Sequence, residues 1–358
     1  MRKYYIDNIR WVTVLLVVVY HVIYMFNSIL SFGVIGPVTT FHGQDAVQYL
    51  LYPWFMVILF IISGMCSYYY LENHSSKEYI KARTNKLLVP STIGLFVFQW
   101  IQGYVNMSIS NAFQSMPDTM PKPVLYIIMC FSGTGVLWTI QLMWFFSCLL
   151  ILVRKIEKGR LWKAAGKATF PVIILMGILL WGFAQILNTP AVTVYRFGIY
   201  GFAFFMGYFL FSHDNITDIL KKYSIPLACV AVISGIAYVI MYFGTNYAEA
   251  PVVNCPLAMA YCWFACLAIL GIFKRFFDKC NSFTSFMTRK SFGLYIFHYL
   301  TLSATAYVLV KYTTLPGIII YLVTLIASLI PALLIYEIIS RIPVIRWCVL
   351  GIKKQKNN

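Results

Sequence analysis

The chain has 358 residues, of which 61% are hydrophobic and 11% charged, and its mean hydropathy is +0.77. Soluble domains carry about a quarter charged residues, so this composition excludes a water-soluble globular protein. The net charge of +17 lies mainly in short segments between apolar runs, which argues against a nucleic-acid surface and makes membrane lipids the expected acidic partner.

Apolar runs of roughly 18 to 22 residues, enough to cross a bilayer, recur along the whole chain. The sequence therefore predicts an all-α, polytopic integral membrane protein with about ten transmembrane helices, forming a single domain over residues 1–358. The predicted spans are 9–29, 50–71, 87–106, 135–153, 170–187, 193–211, 223–243, 255–273, 291–311 and 316–338.

Basic residues predict the orientation, because Lys and Arg close to a span are retained in the cytoplasm. If the N-terminus is inside, all but three of the 28 Lys and Arg residues fall in cytoplasmic segments, the exceptions being Lys122, Arg196 and Lys311. We expect both termini in the cytoplasm, a short basic tail at 339–358, and a multi-pass protein of the bacterial cytoplasmic membrane.

Arg10 and His21 are the first candidate functional residues. Eleven residues of α-helix advance about 16 Å with about 20° of angular drift, so both side chains lie on one stripe of the first span. Asp7, one turn before Arg10, can hold the guanidinium. An ionisable group as deep as His21 usually faces the bundle interior and marks function, although a hydrogen bond to a neighbouring helix would also explain it.

His298 repeats this situation in the ninth predicted span, eight residues beyond Lys290. That distance, about 12 Å along a helix, gives it a depth comparable with that of His21. Tyr295, one turn earlier, adds a hydroxyl group. The two histidines can therefore flank one reaction centre, or His298 can serve as a structural hydrogen-bonding group.

The cytoplasmic segment 75–89 carries a second basic pair. Ser75 and Glu78 form a capping-box pattern, and the residues after them predict a short helix in the headgroup plane, with Pro90 opening the next span. Arg83 and Lys86 on this helix can bind phosphate or face lipid headgroups. Near the inner end of the last span, we expect Glu337 to pair with Arg341, one turn on.

The outer segments offer weaker candidates for an acceptor site. Glycine-rich phosphate loops, carboxylate-rich metal clusters and a G-x-S-x-G elbow are missing from the sequence, which argues against an NTPase, a metalloenzyme or a serine hydrolase. We predict no metal site and no tightly bound prosthetic group. The outer polar residues are His42, Gln44, Asp45, Asp118 and Glu249.

These motifs together resemble the membrane-bound acyltransferase-3 family. The resemblance begins with Asp7-Asn8-x-Arg10 and, after a gap of ten residues, His21. It continues in order through Ile62-Ser63-Gly64, Arg83-x-x-Lys86-Leu87-Leu88-x-Pro90, Leu137-Trp138 and Tyr295-x-x-His298. Lys86 stands where the family often has an arginine, and the absence of that arginine removes a bidentate contact. The opening most resembles the branch that includes the glucan succinyltransferases.

The resemblance implies transfer of an acyl group, commonly acetyl, from cytoplasmic acyl-CoA as co-substrate to a hydroxyl of a glycan or other acceptor at the outer face. Arg10, held by Asp7, would bind the CoA phosphates together with Arg83 and Lys86. His21 would act as general base or as nucleophile. His298 or Tyr295 would orient the acceptor or stabilise an oxyanion. An extracytoplasmic partner protein or a homodimer is compatible with this scheme.

Two other interpretations remain open from the sequence. A proton-coupled secondary transporter of a small polar solute also fits a helical bundle with two titratable histidines. A haem or quinone protein could use His21 and His298 as ligands, but bis-histidine haem requires the two rings to face each other across an iron.

Overall fold

The structure is a computed structural model that describes residues 2–29, 33–189 and 194–353. Within these ranges the chain forms helices and turns, and the one bridge, between Asn188 and Arg196, belongs to no sheet. The all-α prediction is confirmed. The helices are α1 (Tyr4–Met25), α2 (Ala46–Leu51), α3 (Phe55–Leu71), α4 (Ser76–Ile109), α5 (Lys122–Ser132), α6 (Trp138–Glu157), α7 (Arg160–Ala165), α8 (Phe170–Ala184), α9 (Phe197–Phe209), α10 (Asp214–Lys222), α11 (Ser224–Tyr242), α12 (Ala250–Val253), α13 (Pro256–Phe276), α14 (Ser282–Tyr312), α15 (Gly317–Arg341) and α16 (Pro343–Leu350).

Eight helical runs in the described part of the chain are long and apolar enough to cross a membrane. The predicted spans 170–187 and 193–211 fall on α8 and α9, which have only 15 and 13 residues. A straight span needs about 20 residues, so the count of ten stays a prediction. Residues 190–193, at the boundary between these two predicted spans, lie outside the described residues. The eight runs are Tyr4–Met25, Gly43–Leu71, Ser76–Ile109, Gly135–Glu157, Ser224–Tyr242, Pro256–Phe276, Ser282–Tyr312 and Gly317–Arg341.

The chain divides into two compact units, each assembled from three stretches of sequence. Unit 1 comprises Met1–Leu16, Ala46–Ile80 and Phe145–Arg289, and unit 2 comprises Val17–Asp45, Lys81–Trp144 and Lys290–Asn358. Helix α1 contributes its first part to unit 1 and its second part to unit 2. Each unit is described below by itself.

In unit 1, two glycines let α3 and α9 pack backbone against backbone. A Cβ at Gly64 would lie 2.0 Å from the carbonyl oxygen of Phe204, and a Cβ at Gly207 would lie 2.0 Å from that of Ile61. Small residues commonly permit such close contact between membrane helices. The Ile62-Ser63-Gly64 motif therefore has a packing role at Gly64.

The beginning of α1 is held in unit 1 by the segment after α13. The Asp278 carboxylate accepts a hydrogen bond of 3.0 Å from the backbone N–H of Tyr5, one of the helix's unpaired N-terminal donors. The Asn8 amide donates to the carbonyls of Phe277, at 2.6 Å, and Lys279, at 3.0 Å. Asn8 thus fixes the turn of helix that carries Asp7 and Arg10.

In unit 2, the second part of α1 packs through its apolar side chains. Val22, Met25 and Phe26 form a buried cluster with Leu302, Ala306 and Ile320. This contact holds the His21 segment of α1 beside the His298 segment of α14. The expected pair of Glu337 and Arg341 is wrong, because Glu337 forms its ion pair with Lys290 of α14 instead.

Helix α4 differs from the prediction of a separate interfacial helix at 75–89. The capping box is present, with Glu78 accepting from Ser75 N at 2.8 Å and Ser75 Oγ accepting from Glu78 N at 3.3 Å. The helix then continues to Ile109 through two π-helical segments, Thr84–Leu88 and Leu95–Gln99. Pro90 cannot donate a backbone hydrogen bond, and the wider π turn before it lets the helix continue.

The described part of the predicted tail 339–358 is also more ordered than expected. Residues 343–350 form α16, whose Cys348, Val349 and Leu350 are buried. A Cβ at Gly94 of α4 would lie 2.7 Å from the Cys348 carbonyl oxygen, so the two helices are in close contact. Residues 354–358 of that tail lie outside the described residues.

Candidate active site

Unit 2 brings the two predicted histidines into direct contact. His21 Nδ1 lies 3.2 Å from His298 Nε2, and the ring centroids are 5.1 Å apart with the planes inclined by 51°. His298 is fully buried, whereas His21 is partly exposed. The structure therefore brings the two predicted histidines into contact, and their part in one reaction centre stays a prediction.

The hydrogen bonds around this pair assign the protons on both rings. His298 Nδ1 lies 2.8 Å and 3.1 Å from the carbonyl oxygens of Tyr295 and Leu294, which can only accept, so this nitrogen carries the proton. Its Nε2 is then an acceptor that faces His21 Nδ1. His21 Nδ1 also lies 2.8 Å from the Val17 carbonyl, so it too is the protonated nitrogen. Neutral His21 consequently carries its lone pair on Nε2.

Aromatic rings surround His21 within the same unit. The ring centroids of Tyr20 and Tyr299 lie 5.1 Å from that of His21, both in edge-on orientation, and Tyr24 lies at 6.2 Å. Rings packed this closely restrict rotation of the imidazole. Sequence reasoning missed these three tyrosines, although each lies one or three residues from one of the histidines.

Tyr295 takes part differently from the prediction. Its hydroxyl donates a 2.6 Å hydrogen bond to the carbonyl of Val136, next to the Leu137-Trp138 motif. The hydroxyl proton is therefore engaged with the backbone, and Tyr295 reaches His298 through its own carbonyl oxygen. This hydrogen bond joins α14 to the segment before α6, and a catalytic role of the hydroxyl stays a prediction.

Arg10 is built into unit 1 by two short contacts. One guanidinium nitrogen lies 3.1 Å from Asp7 Oδ1, as expected, and another donates to Cys66 Sγ at 3.1 Å. The second oxygen of Asp7 accepts from Arg2, at 2.9 Å from Nε. Asp7 is therefore shared by two arginines, and only 15% of its side chain is exposed against 38% for Arg10. Cys66 carried no sequence signal for this contact.

Arg83 and Lys86 lie in unit 2, on the cytoplasmic side of α4 by the predicted orientation. Lys86 belongs to the π-helical segment Thr84–Leu88, and its ammonium lies 3.8 Å above the Phe292 ring. A π-helical turn inside an α-helix is frequent at functional sites. Both basic side chains are partly exposed, so they are accessible to a solute phosphate.

Two acidic residues of the predicted outer segments have local hydrogen-bond partners in the structure. Asp45 is fully buried and accepts hydrogen bonds from the backbone N–H and hydroxyl of Ser28. Glu249 accepts from its neighbour Asn246 at 2.8 Å, within unit 1. The structure gives these two carboxylates local structural roles, and an acceptor site built from them stays a prediction.

The chain matches a known protein family over most of its length. A family model described as an acyltransferase domain, that of acyltransferase family 3, matches residues 3–337. The chain belongs to the acyltransferase-3 family. It is therefore a multi-pass membrane acyltransferase. No match was found among curated proteins, and none among solved structures.

Proposed function

We propose that this acyltransferase moves an acetyl or other short acyl group, including succinyl, from cytoplasmic acyl-CoA to a hydroxyl of a cell-envelope glycan or similar acceptor at the outer face. The observation that carries the proposal is the His21–His298 pair. It leaves one imidazole nitrogen of a partly exposed histidine unprotonated inside a membrane helix.

The proposed chemistry uses the lone pair on His21 Nε2. As general base, Nε2 removes the proton of the acceptor hydroxyl while the hydroxyl oxygen attacks the thioester carbonyl. The carbon–sulfur bond then breaks, and the departing CoA thiolate takes up the proton from the imidazolium. As nucleophile, Nε2 instead attacks the thioester carbonyl carbon, and CoA leaves as the thiolate. The acceptor oxygen then attacks the acyl group on Nε2, the carbon–nitrogen bond breaks, and the hydroxyl proton passes to the CoA thiolate. In either case His298 Nε2 accepts from Nδ1–H and stabilises positive charge on His21.

The basic side chains support binding of the co-substrate. Arg83 and Lys86 carry two positive charges within one turn of helix, and the Phe292 ring holds the Lys86 ammonium in place. Arg10 offers a planar guanidinium with Asp7 fixing its orientation. We assign these groups to the phosphates of CoA.

Release of free CoA from acetyl-CoA by the purified protein, with a hydroxyl acceptor present, tests this assignment. We expect His21→Ala to lower kcat at least ~100-fold, the low end of what a general base contributes. Arg83→Ala should raise the KM for acetyl-CoA about tenfold and change kcat little, because it acts only in binding. The increase should be smaller with acetyl-dephospho-CoA if Arg83 binds the 3′-phosphate.

Arg289→Ala is the matched control, since Arg289 is exposed and its guanidinium bonds to Ser285 one turn away. Unchanged turnover in His21→Ala would contradict the proposal. So would solute accumulation in proteoliposomes by a protein that binds no acyl-CoA in calorimetry, which is the result expected of the secondary transporter. Mass spectrometry of envelope glycans from cells with and without the gene would identify the acceptor.

The haem interpretation is disfavoured by the geometry of the pair. The facing nitrogens of His21 and His298 are joined by a direct hydrogen bond of 3.2 Å, which leaves no room for an iron between them. A colourless purified protein is the expected result.

A further inference from the structure

Arg196 is a buried cation in unit 1, whereas the two histidines assigned to catalysis belong to unit 2. It immediately precedes α9, and only 4% of its surface is exposed. One guanidinium nitrogen donates to Asn254 Oδ1, whereas Nε, which is also buried, has no hydrogen-bond partner. In the predicted orientation it is one of three basic residues outside the cytoplasmic segments.

No carboxylate neutralises this guanidinium. All eleven Asp and Glu residues of the chain lie in the described ranges, and none forms an ion pair with Arg196. Arginine remains protonated in proteins, so the charge cannot be removed by loss of a proton. A buried charge without a partner is strongly unfavourable, especially within a membrane protein.

The neighbouring polar groups in unit 1 also point to a missing acceptor. The Tyr238 hydroxyl is fully buried and has no hydrogen-bond partner. Tyr52 interacts electrostatically with both Arg196 and Tyr238, and Tyr200 lies within hydrogen-bonding reach of the guanidinium. Arg196 Nε is thus a buried donor of a charged group that has no acceptor among the described residues. A group with several lone pairs and a negative charge would both accept this hydrogen bond and compensate the charge, whereas a water molecule would leave the charge uncompensated.

We propose that Arg196, together with Asn254 and Tyr200, forms a binding site in unit 1 for an oxyanionic group, a carboxylate or a phosphate. The planar fork of arginine matches both groups and can form two parallel hydrogen bonds to either. The group belongs either to a soluble anion or to a phospholipid headgroup. The site does not depend on the proposed transfer reaction, because binding requires no turnover.

Thermal unfolding of the full chain in neutral detergent tests whether the ligand is a soluble anion. A thiol-reactive dye reports exposure of the buried Cys262 and Cys266. Inorganic phosphate and succinate are titrated separately at constant ionic strength. We expect a saturable rise in Tm, because a ligand that binds only the folded state stabilises it by mass action.

The variants separate this site from general effects of charge. Arg196→Gln should lose the rise in Tm, while Arg275→Gln, which removes an exposed arginine of the same unit, should keep it. Without added anion, Arg196→Gln should unfold at the same temperature as wild type or higher, since an uncompensated buried charge has been removed. A residue that acted only as a structural donor would give a lower Tm instead.

Nanodiscs of phosphatidylglycerol and of phosphatidylcholine, with the same variants, test whether the ligand is a phospholipid headgroup. A higher Tm in phosphatidylglycerol that Arg196→Gln abolishes identifies a phospholipid headgroup, and a response to soluble anions alone identifies a soluble ligand. A wild-type protein that responds in neither test overturns the proposal, as does an equal response of Arg196→Gln. If Arg196→Gln does not fold, Arg196→Lys replaces it. Because lysine lacks the planar fork of the guanidinium, we expect the anion concentration at the midpoint of the Tm titration to be at least about fivefold higher than for wild type. An unchanged midpoint overturns the proposal.

Discussion

At the scale of single residues, His21 and His298 differ in what their unprotonated nitrogens face. His298 presents an unprotonated Nε2 to His21 because its own Nδ1–H is bonded to backbone carbonyls. If the His21 ring rotated, its Nε2 lone pair would point away from the proposed substrate, and the hydrogen bond to His298 opposes this rotation. In the proposed reaction, His298 would therefore position His21 and stabilise its cation through the hydrogen bond between the two rings.

We predict that His298→Ala lowers kcat at least tenfold and leaves the KM for acyl-CoA within about twofold, since it affects only the reactive nitrogen. The pH dependence of kcat should also shift, because the imidazolium of His21 loses its acceptor. His74→Gln, at an exposed histidine bonded to Tyr70, is the control and should match wild type. A purely structural His298 would lower the yield of folded protein without moving the pH profile.

A second residue-scale prediction concerns Asp214 in α10. Partial burial tends to raise its pKa, but Lys3 and Lys274 outweigh this effect and hold the pKa of Asp214 below its ordinary value. A carboxylate with a lowered folded-state pKa stabilises the protein above its unfolded pKa, and this contribution disappears as the pH falls through the folded value.

Asp214→Asn should therefore lower Tm slightly at pH 7, and the difference from wild type should vanish progressively below about pH 4. The effect is small because two thirds of the Asp214 side chain is exposed. Asp118→Asn, in a predicted outer segment, serves as the control. A difference that grew on acidification would contradict the ion-pair assignment.

At the scale of elements, the contact between α3 and α9 depends on two glycines. Gly64→Ala would place a methyl group 2.0 Å from the Phe204 carbonyl oxygen, and the helices must separate to relieve this clash. We expect a destabilisation of about 1–3 kcal/mol and a lower Tm in detergent.

Gly182→Ala, in α8, is the matched control for Gly64→Ala. Its Cβ would meet no atom within 4 Å, and Gly182 lies inside the helix α8. Alanine should there be neutral or stabilising by roughly 0.5–1 kcal/mol, because glycine loses more backbone freedom on folding. Equal losses of stability in both variants would show that the glycines of these helices act through flexibility and not through contact.

At the scale of the whole molecule, orientation in the membrane is the main property to test. Cys280 is exposed and belongs to the predicted cytoplasmic segment 274–290. In a variant retaining only Cys280, a membrane-impermeant maleimide should react in inside-out vesicles and not in intact spheroplasts. Ser115→Cys in a variant lacking all native cysteines should show the opposite pattern, since Ser115 is exposed in a predicted outer segment. Reaction of Cys280 from outside would reverse the proposed sides for acyl-CoA and acceptor.

Much of the fold could be predicted from the sequence because apolar length and basic-residue placement act locally. The spans around His21 and His298 were correctly predicted as helices, since the cost of exposing backbone polar groups to lipid permits little else. Span lengths near 190 were less predictable, because α9 is short and largely buried by protein, so a run of apolar residues there does not measure bilayer thickness.

The sequence by itself determined the membrane class, the family, and the two histidines with the arginine before them, because these depend on residue type and on spacing along one helix. Only the tertiary structure decided that His21 and His298 are in contact, that the Tyr295 hydroxyl is bonded to Val136, and that Glu337 pairs with Lys290. Each of these contacts joins residues far apart in the chain. Spacing along one helix cannot specify such contacts, because they depend on which helices pack together.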